Sequence, residues 1–227
     1  MQMSPYRLRD EQASREALSN QDFLNAVSGA MAILGPCLLY HPNGGDPQSG
    51  LQIGALRDMD LHDWPFGSQE GRHQAALLME EGAVEDAECL ERAFGYLLRG
   101  PHRLPAAPWG SVYMDREKVT YGGTWVELRQ WMRDNGIVTL YQEKDPEDHI
   151  GRMMILAGQL AKERPELLCE YLGKYLLTWS GRFFQLFVPA ALDVSPTYGA
   201  VAVLARDTLE DIQDVLGVIP ARYRMYR

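Results

Sequence analysis

The residues whose types and spacing could do chemistry lie together around Pro146. Asp145, Glu147 and Asp148 supply three carboxylates, and His149 places an imidazole directly beside them. Proline is typical of the first position of a helix, so we expect the carboxylates in the first helical turn, where unpaired backbone N–H groups favour negative charge. Capping alone would explain the carboxylates. His149 is compatible with a structural hydrogen bond, with contact to a ligand and with general base catalysis.

The long stretch before these residues has little helical periodicity and is expected to carry the site. Irregular connections of this length are uncommon in compact domains and are often functional. The stretch contains Gly100-Pro101, then Trp109 between a proline and a glycine, and then Gly122-Gly123. Trp109 either anchors the loop in the core or lines a binding groove. Gly122 is expected to give the backbone the freedom that a tight turn needs.

Motifs of the common enzyme classes are missing from the sequence. It has no Gly-x-Ser-x-Gly elbow, no phosphate-binding Gly-x-x-x-x-Gly-Lys loop, no His-Glu-x-x-His pair and no dinucleotide fingerprint. The three cysteines are widely spaced and are expected to be buried, reduced thiols. We therefore predict a protein that is not an enzyme and holds no metal or other cofactor. The alternative from another class is a small metal-dependent hydrolase that uses His102, Asp148 and His149.

Composition and charge narrow the range of partners. The 227 residues are 46% hydrophobic, which is enough for a substantial core. With 31 acidic and 22 basic side chains the net charge is −9, which argues against nucleic acid and favours neutral or cationic partners. The longest apolar run, Ala30 to Tyr40, is too short to span a bilayer, and the first residues lack the apolar centre of a signal peptide. These features predict a cytoplasmic protein that is not an integral membrane protein.

Helices are expected to hold these residues in place. Apolar side chains recur at intervals of three and four along most of the chain. This pattern predicts an all-α, single-domain bundle of about nine to eleven helices over residues 19–227, after a polar N-terminal extension over residues 1–18. Only Ser111 to Tyr121 and Ile137 to Tyr141 are candidates for strands.

The ends of several helices can be predicted from capping residues and prolines. Ser19 and Asp22 form a capping box that should open a helix, and Thr124 begins a second one. Pro36 is expected to kink or end its helix, and Pro189 to end another, because proline removes a backbone donor and clashes with the preceding turn.

Three segments resemble the TorD/DmsD family, and within it the DmsD branch. They are Pro108 to Val112, Leu128 to Arg133 and Pro146 to His149, and the register of the resemblance is good from about Leu90 to Ser180. Members of this family are all-helical cytoplasmic chaperones. They bind the twin-arginine leader peptides of molybdenum-containing reductases, such as dimethyl sulfoxide reductase, before export. The resemblance therefore implies the same fold and function here.

The resemblance also implies one pocket for the leader peptide. The residues that match it are Phe94, Leu97, Leu98, Trp109, Tyr113, Gly122, Asp148 and His149. Guanidinium groups need carboxylate acceptors, so Glu147 joins Asp148 as a predicted peptide-binding residue. Leu98 and His102 depart from the family pattern, which has aromatic residues there. The implied partners are the leader and, as a second candidate, the Tat translocon, with the chain a monomer or a dimer. The alternative within the family is an assembly factor of the NarJ type, which recognises the mature reductase subunit.

Overall fold

The computed structural model describes residues 2–42, 51–138 and 146–227, and α-helices dominate these ranges. The helices are α1 Glu11–Ser19, α2 Gln21–Leu39, α3 Leu51–Asp58, α4 Gln69–Glu81, α5 Ala87–Phe94, α6 Ser111–Met114, α7 Gly123–Asp134, α8 Ile150–Glu163, α9 Pro165–Tyr171, α10 Ser180–Val194 and α11 Pro196–Val215. Short 3-10 turns lie at Leu61–Asp63 and Gly82–Val84, and π-helical turns at Gly95–Arg99 and Leu172–Leu176. The predicted all-α fold is confirmed, with eleven α-helices within the described ranges.

The contact between α2 and α8 forms the centre of the bundle. Glycines let the two backbones approach closely. A β-carbon on Gly35 would lie 2.7 Å from Cγ1 of Ile155, and one on Gly151 would lie 2.5 Å from the carbonyl oxygen of Gly35. Such distances are too short for any side chain, so larger residues would push the helices apart. Because α8 begins directly after His149, this contact also fixes the position of the acidic segment.

The helix end predicted at Pro189 is wrong, Pro36 does not end its helix, and one predicted helix start is displaced. Asn20, not Ser19, caps α2, and its side-chain oxygen accepts hydrogen bonds from two N–H groups of the first turn at 3.0 and 3.2 Å. Pro36 and Pro189 lie inside helices that continue to Leu39 and Val194. Burial of these helices in the core outweighs the hydrogen bond that each proline removes, since tertiary packing supplies most helical stability.

Helix α2 also revises the expectation that no segment is long and apolar enough to cross a bilayer. Among the helices within the described ranges, Gln21–Leu39 meets that criterion by length and composition. The window concerned is 56% buried inside the fold, and a core helix meets the same criterion.

Four short strands occur where no strand was predicted. β1 Gln2–Ser4 pairs antiparallel with β4 Arg222–Tyr223, and β2 Arg7–Leu8 pairs with β3 Val218–Ile219. Residues 2–8, which were expected to belong to a polar extension, thus hydrogen-bond to residues more than 200 positions later in the chain.

The strand predicted from Ser111 to Tyr121 is wrong. Ser111–Met114 is the short helix α6, and turns follow it. The N–H groups of Tyr113 and Met114 both donate to the carbonyl of Gly110, which holds this stretch in a helical turn. Of the second candidate strand, Ile137 and Val138 are not in a strand, and the other three residues lie outside the described ranges.

The cysteines are free thiols, but they are not all buried as expected. Cys37 and Cys169 are buried, and burial raises their pKa values to about 12 and about 11. Cys89 is partly exposed.

Candidate functional site

Two segments that are distant in sequence meet at the start of α8. Trp109 and His149 form an antiparallel β-bridge, and their rings contact edge to face with 5.9 Å between centroids. Beside the bridge, the N–H of Gly110 donates to the carbonyl of Asp148 at 3.0 Å. The tryptophan loop and the acidic segment are therefore joined by backbone contacts.

Asp148 is the most unusual group in this region. It is only 3% exposed. Its Oδ2 accepts a hydrogen bond from the N–H of Ser111 at 2.7 Å, whereas Oδ1 has no hydrogen-bond partner among the described residues. Burial raises the pKa of this carboxyl above its ordinary value, and interactions with Ser111 offset only part of the rise. A buried carboxylate oxygen without a donor is costly, so Oδ1 is suited to accept a donor from a ligand.

A narrow cleft reaches this carboxyl, and we refer to it as the Asp148 cleft. It is lined by Met114, Thr124, Leu128, Asp148, Met153, Lys174, Tyr175, Trp179 and Tyr223. The free space is about 10 Å³, enough for about one water molecule. The indole N–H of Trp179, like Oδ1 of Asp148, lacks a hydrogen-bond partner within the described part of the chain. A ligand larger than water would have to displace some of the lining side chains.

Glu147 is already engaged by residues of α7. Its carboxylate accepts hydrogen bonds from the indole N–H of Trp125 at 2.6 Å and forms an ion pair with Arg129 at 3.1 Å. The guanidinium of Arg129 also lies 4.9 Å from the centre of the Trp125 ring. Glu147 is therefore part of a surface cluster with two partners, whereas Asp148 is buried and incompletely satisfied.

The acidic residues do not occupy the first helical turn, so that prediction is wrong. Helix α8 begins at Ile150, and His149 is its N-cap. Glu147 and Asp148 lie in the turn before the helix, and Asp145 lies outside the described ranges. The physical reason is that Asp148 accepts the Ser111 N–H from another segment, so its carboxylate cannot cap α8.

His149 has a structural hydrogen bond, one of the three roles left open by the sequence. Its Nδ1 accepts a hydrogen bond from the N–H of Gly151 at 3.2 Å. Burial, together with the positive charges of Arg152 and Arg99, lowers its pKa to about 3. The imidazole is therefore neutral at physiological pH and is a weak base.

The aliphatic and aromatic residues before Gly100 lie in the core. Phe94, Leu97 and Leu98 are at most 2% exposed, and none of them lines the Asp148 cleft. Phe94 packs against the ring of Tyr198, with 6.3 Å between centroids. The role of these three residues in peptide binding stays a prediction.

Tyr113 and Gly122 flank the cleft in different ways. Tyr113 is fully buried and stacks on Trp179 at 5.5 Å, which supports the wall of the cleft. Gly122 precedes α7 with an ordinary φ of −73°, so the turn does not need the conformational freedom of glycine. It needs space, because a β-carbon there would lie 2.1 Å from Oδ2 of Asp115. That carboxylate accepts hydrogen bonds from the N–H and hydroxyl of Thr124 and thereby caps α7.

Sequence reasoning missed most of the residues that line the cleft. Tyr175 and Trp179 belong to segments that were assigned to helix faces, where apolar periodicity indicates core packing. Tyr223 lies in a segment with no periodic signal. One signal was available for the Glu147 cluster, since Trp125 and Arg129 are four residues apart on a predicted helix and therefore share a face.

Comparisons with known proteins give a family and named relatives. The family model described as nitrate reductase delta subunit matches residues 67–185. The Tat proofreading chaperone DmsD of Salmonella typhimurium is 37% identical over 189 residues, which cover 83% of this chain and 89% of that protein. The Haemophilus influenzae protein that carries the same DmsD name is 32% identical over 209 residues, which cover 91% of this chain and 100% of that protein.

Among solved structures, a protein assigned to redox enzyme maturation from Archaeoglobus fulgidus aligns with a TM-score of 0.49 at 16% sequence identity, covering 82% of this chain and 93% of that chain. The family match includes Trp109, Asp148 and every other predicted site residue, whereas Tyr223 lies beyond it.

Proposed function

Because this chain belongs to the TorD/DmsD family of redox enzyme maturation proteins, we propose that it is a chaperone for a twin-arginine leader peptide. The leader is that of the catalytic subunit of a molybdenum-containing, dimethyl-sulfoxide-reductase-like enzyme. The chaperone holds this subunit while it folds and receives its cofactor, and so prevents premature export. It works by binding, without catalysis. It works in the cytoplasm, where leader peptides are recognised before export.

The observation that carries the proposal is the free acceptor on Asp148. A guanidinium group offers several N–H donors in one plane, and its hydrogen bonds to carboxylates are among the strongest in proteins. An arginine that entered the Asp148 cleft would satisfy Oδ1 and would pair with a carboxyl whose side chain is 3% exposed. Tyr175, Trp179 and Tyr223 line the same cleft, and the faces of aromatic rings attract cations.

Glu147 supplies the acceptor for the second arginine. Its present ion pair with Arg129 is partly exposed, since the Arg129 side chain is 44% exposed, and exposed pairs contribute little stability. An arginine from the leader can therefore replace Arg129 at small cost. The two adjacent carboxylates then give one acceptor to each arginine, one buried and one near the surface.

The overall charge supports the same partner. A net charge of −9 attracts a cationic peptide over a distance and speeds its encounter with the chaperone. The leader is flexible before it binds and loses entropy on docking, so moderate affinity is expected, which suits a chaperone that must release its cargo.

The hydrolase alternative has less support than the chaperone. His149 is committed to the N–H of Gly151, and a pKa of about 3 makes it a poor base. His102 is exposed and stacks on Tyr96 at 4.9 Å. Within the described ranges, no three His, Cys, Asp or Glu side chains are grouped so that they could hold a metal ion.

A titration with three synthetic peptides tests the proposal. One is a reductase leader with its Arg-Arg pair, and the others carry Lys-Lys and Ala-Ala in its place. We expect the Arg-Arg peptide to bind tightest, the Lys-Lys peptide more weakly because lysine lacks the planar fork of donors, and the Ala-Ala peptide weakest. Equal binding of all three would remove the twin-arginine part of the proposal. Binding only to a mature reductase subunit without its leader would favour the NarJ-type assembly factor.

A further inference from the structure

Residues 222–227 have the sequence Arg-Tyr-Arg-Met-Tyr-Arg, and we call them the arginine strap. The strap lies against the candidate site. The N–H of Tyr226 donates to the carbonyl of Tyr113 at 2.8 Å. The guanidinium of Arg227 donates to the carbonyls of Leu104 and Pro105 at 2.6 and 3.2 Å and lies 5.9 Å from the centre of the Tyr113 ring. These contacts tie the strap to the loop that precedes Trp109.

The other end of the strap contributes to the Asp148 cleft itself. Tyr223 is one of the residues that line the cleft. Its side chain is partly buried and packs on the core. Tyr223 belongs to β4, and two residues of this strand pair with β1. Burial raises the pKa of the Tyr223 hydroxyl, and the nearby negative charges of Glu127 and Asp115 raise it further, so this end of the strap lies near carboxylates. A segment that carries three arginines thus already contributes one wall of the cleft in which the proposed leader would bind.

The chemistry of the strap resembles that of a twin-arginine leader, in which arginines adjoin apolar residues. Arg222, Arg224 and Met225 are exposed, so few side-chain contacts hold the middle of the strap in place. The described contacts are concentrated at Tyr223, Tyr226 and Arg227. A segment attached in this way can leave its seat without opening the helical core.

We propose that the arginine strap is a tethered competitor, which covers the Asp148 cleft in the free chaperone and is displaced when the leader binds. The inference rests on the proposed function, because it concerns access to the same site. Tethering gives such a segment a high effective concentration, on the order of millimolar for short links, so even weak contacts can hold it over the cleft. The strap would cover the buried carboxyl of Asp148, and only a peptide with enough affinity for the cleft would displace it.

The first test weakens the attachment of the strap. Arg227→Ala removes both hydrogen bonds to the loop carbonyls and the contact with the Tyr113 ring, and Arg15→Ala removes one positive charge from an exposed pair on α1. We expect Arg227→Ala to bind the Arg-Arg leader about three to ten times tighter than the wild type, and Arg15→Ala to bind as the wild type does. If the wild type binds the leader and Arg227→Ala binds it equally or more weakly, the strap is not a competitor, but the proposed function stands. Absence of leader binding in all three proteins overturns the proposed function and the strap with it.

The second test follows displacement in the wild-type protein. Hydrogen exchange of the Tyr226 amide reports its bond to the Tyr113 carbonyl directly. We expect saturating Arg-Arg leader to speed this exchange, while the amides of the α2–α8 core stay protected. Slower or unchanged exchange at Tyr226 would mean that the strap remains seated when the leader binds, and would contradict the proposal.

Discussion

Replacing Asp148 with asparagine should make the fold more stable while it weakens leader binding. The asparagine oxygen can still accept the N–H of Ser111, which donates at 2.7 Å in the wild type. The variant loses the negative charge and the unpaired carboxylate oxygen, which lie in a side chain that is 3% exposed. Leaving a buried polar group unpaired costs roughly 1–3 kcal/mol, and the amide nitrogen recovers only part of this. We therefore expect a gain of about 1 kcal/mol, which corresponds to roughly 2–4 °C in Tm for a chain of this length.

The gain should depend on pH in a defined direction. Because burial raises the pKa of the Asp148 carboxyl in the folded state above its unfolded value, the wild type loses stability when the carboxyl ionises. The wild type recovers that stability as the pH falls through the folded-state pKa. The difference between Asp148→Asn and the wild type should therefore be largest near neutral pH and disappear on acidification.

Urea unfolding across a pH series measures this difference, and calorimetric titration of the leader measures the binding. Loss of a desolvated charge pair costs roughly 2–5 kcal/mol, so the leader should bind Asp148→Asn at least about 30-fold more weakly. Asp148→Ala is the matched control, since it also removes the acceptor of the Ser111 N–H and should lower stability. A fold that is weakened by the asparagine, or leader affinity that does not change, would refute this reasoning.

Three further predictions concern the surroundings of the site. Gly122→Ala should destabilise the fold by roughly 1–3 kcal/mol in urea unfolding, because its β-carbon would lie 2.1 Å from Oδ2 of Asp115. The control is Gly29→Ala, which has open space around it on α2 and should stabilise the fold by up to about 1 kcal/mol. His149 should make the wild type lose stability as the pH falls from about 6.5 toward about 3, because only the unfolded chain binds a proton on this imidazole in that range. The loss is at most about 1.4 kcal/mol per pH unit. His149→Asn should remove this pH dependence, and an unchanged dependence in urea unfolding would contradict the low pKa of His149. Glu147→Gln should change the free energy of unfolding by less than about 1 kcal/mol, and it should reduce the affinity for the leader less than Asp148→Asn does. Calorimetric titration of both variants measures the two affinities. A larger loss of affinity in Glu147→Gln would show that the buried carboxyl is not the stronger acceptor.

The fold could be predicted from the sequence because its signals are local. Apolar residues at intervals of three and four gave the helices, and caps such as Ser68 and Ser195 lie where hydroxyl residues precede a periodic run. Neither Pro36 nor Pro189 ends its helix, and the reason is not local. Burial of both helices in the core outweighs a local penalty, and that burial cannot be read from neighbouring residues.

The geometry of the site could be predicted only in part. The resemblance grouped Trp109 with Asp148 and His149. In the structure a β-bridge joins Trp109 to His149, and the adjoining hydrogen bond joins Gly110 to Asp148. No local pattern indicates that Asp148 accepts the N–H of Ser111 instead of capping its own helix, since that bond joins residues 37 positions apart. The pairing of β1 with β4 could not be predicted either, because the two strands are far apart in the sequence. Strands this short also have no hydrophobic pattern of their own.

A double-mutant cycle between chaperone and leader tests the central claim most directly. Each cycle pairs wild type or Asp148→Asn with the Arg-Arg leader or with a leader in which one arginine is glutamine, and one cycle is measured for each of the two arginines. If one arginine is held by Asp148, that arginine and the carboxylate should be coupled by at least about 1.5 kcal/mol, so the asparagine should cost little once the arginine is gone. Independent, additive losses for both arginines would contradict the account.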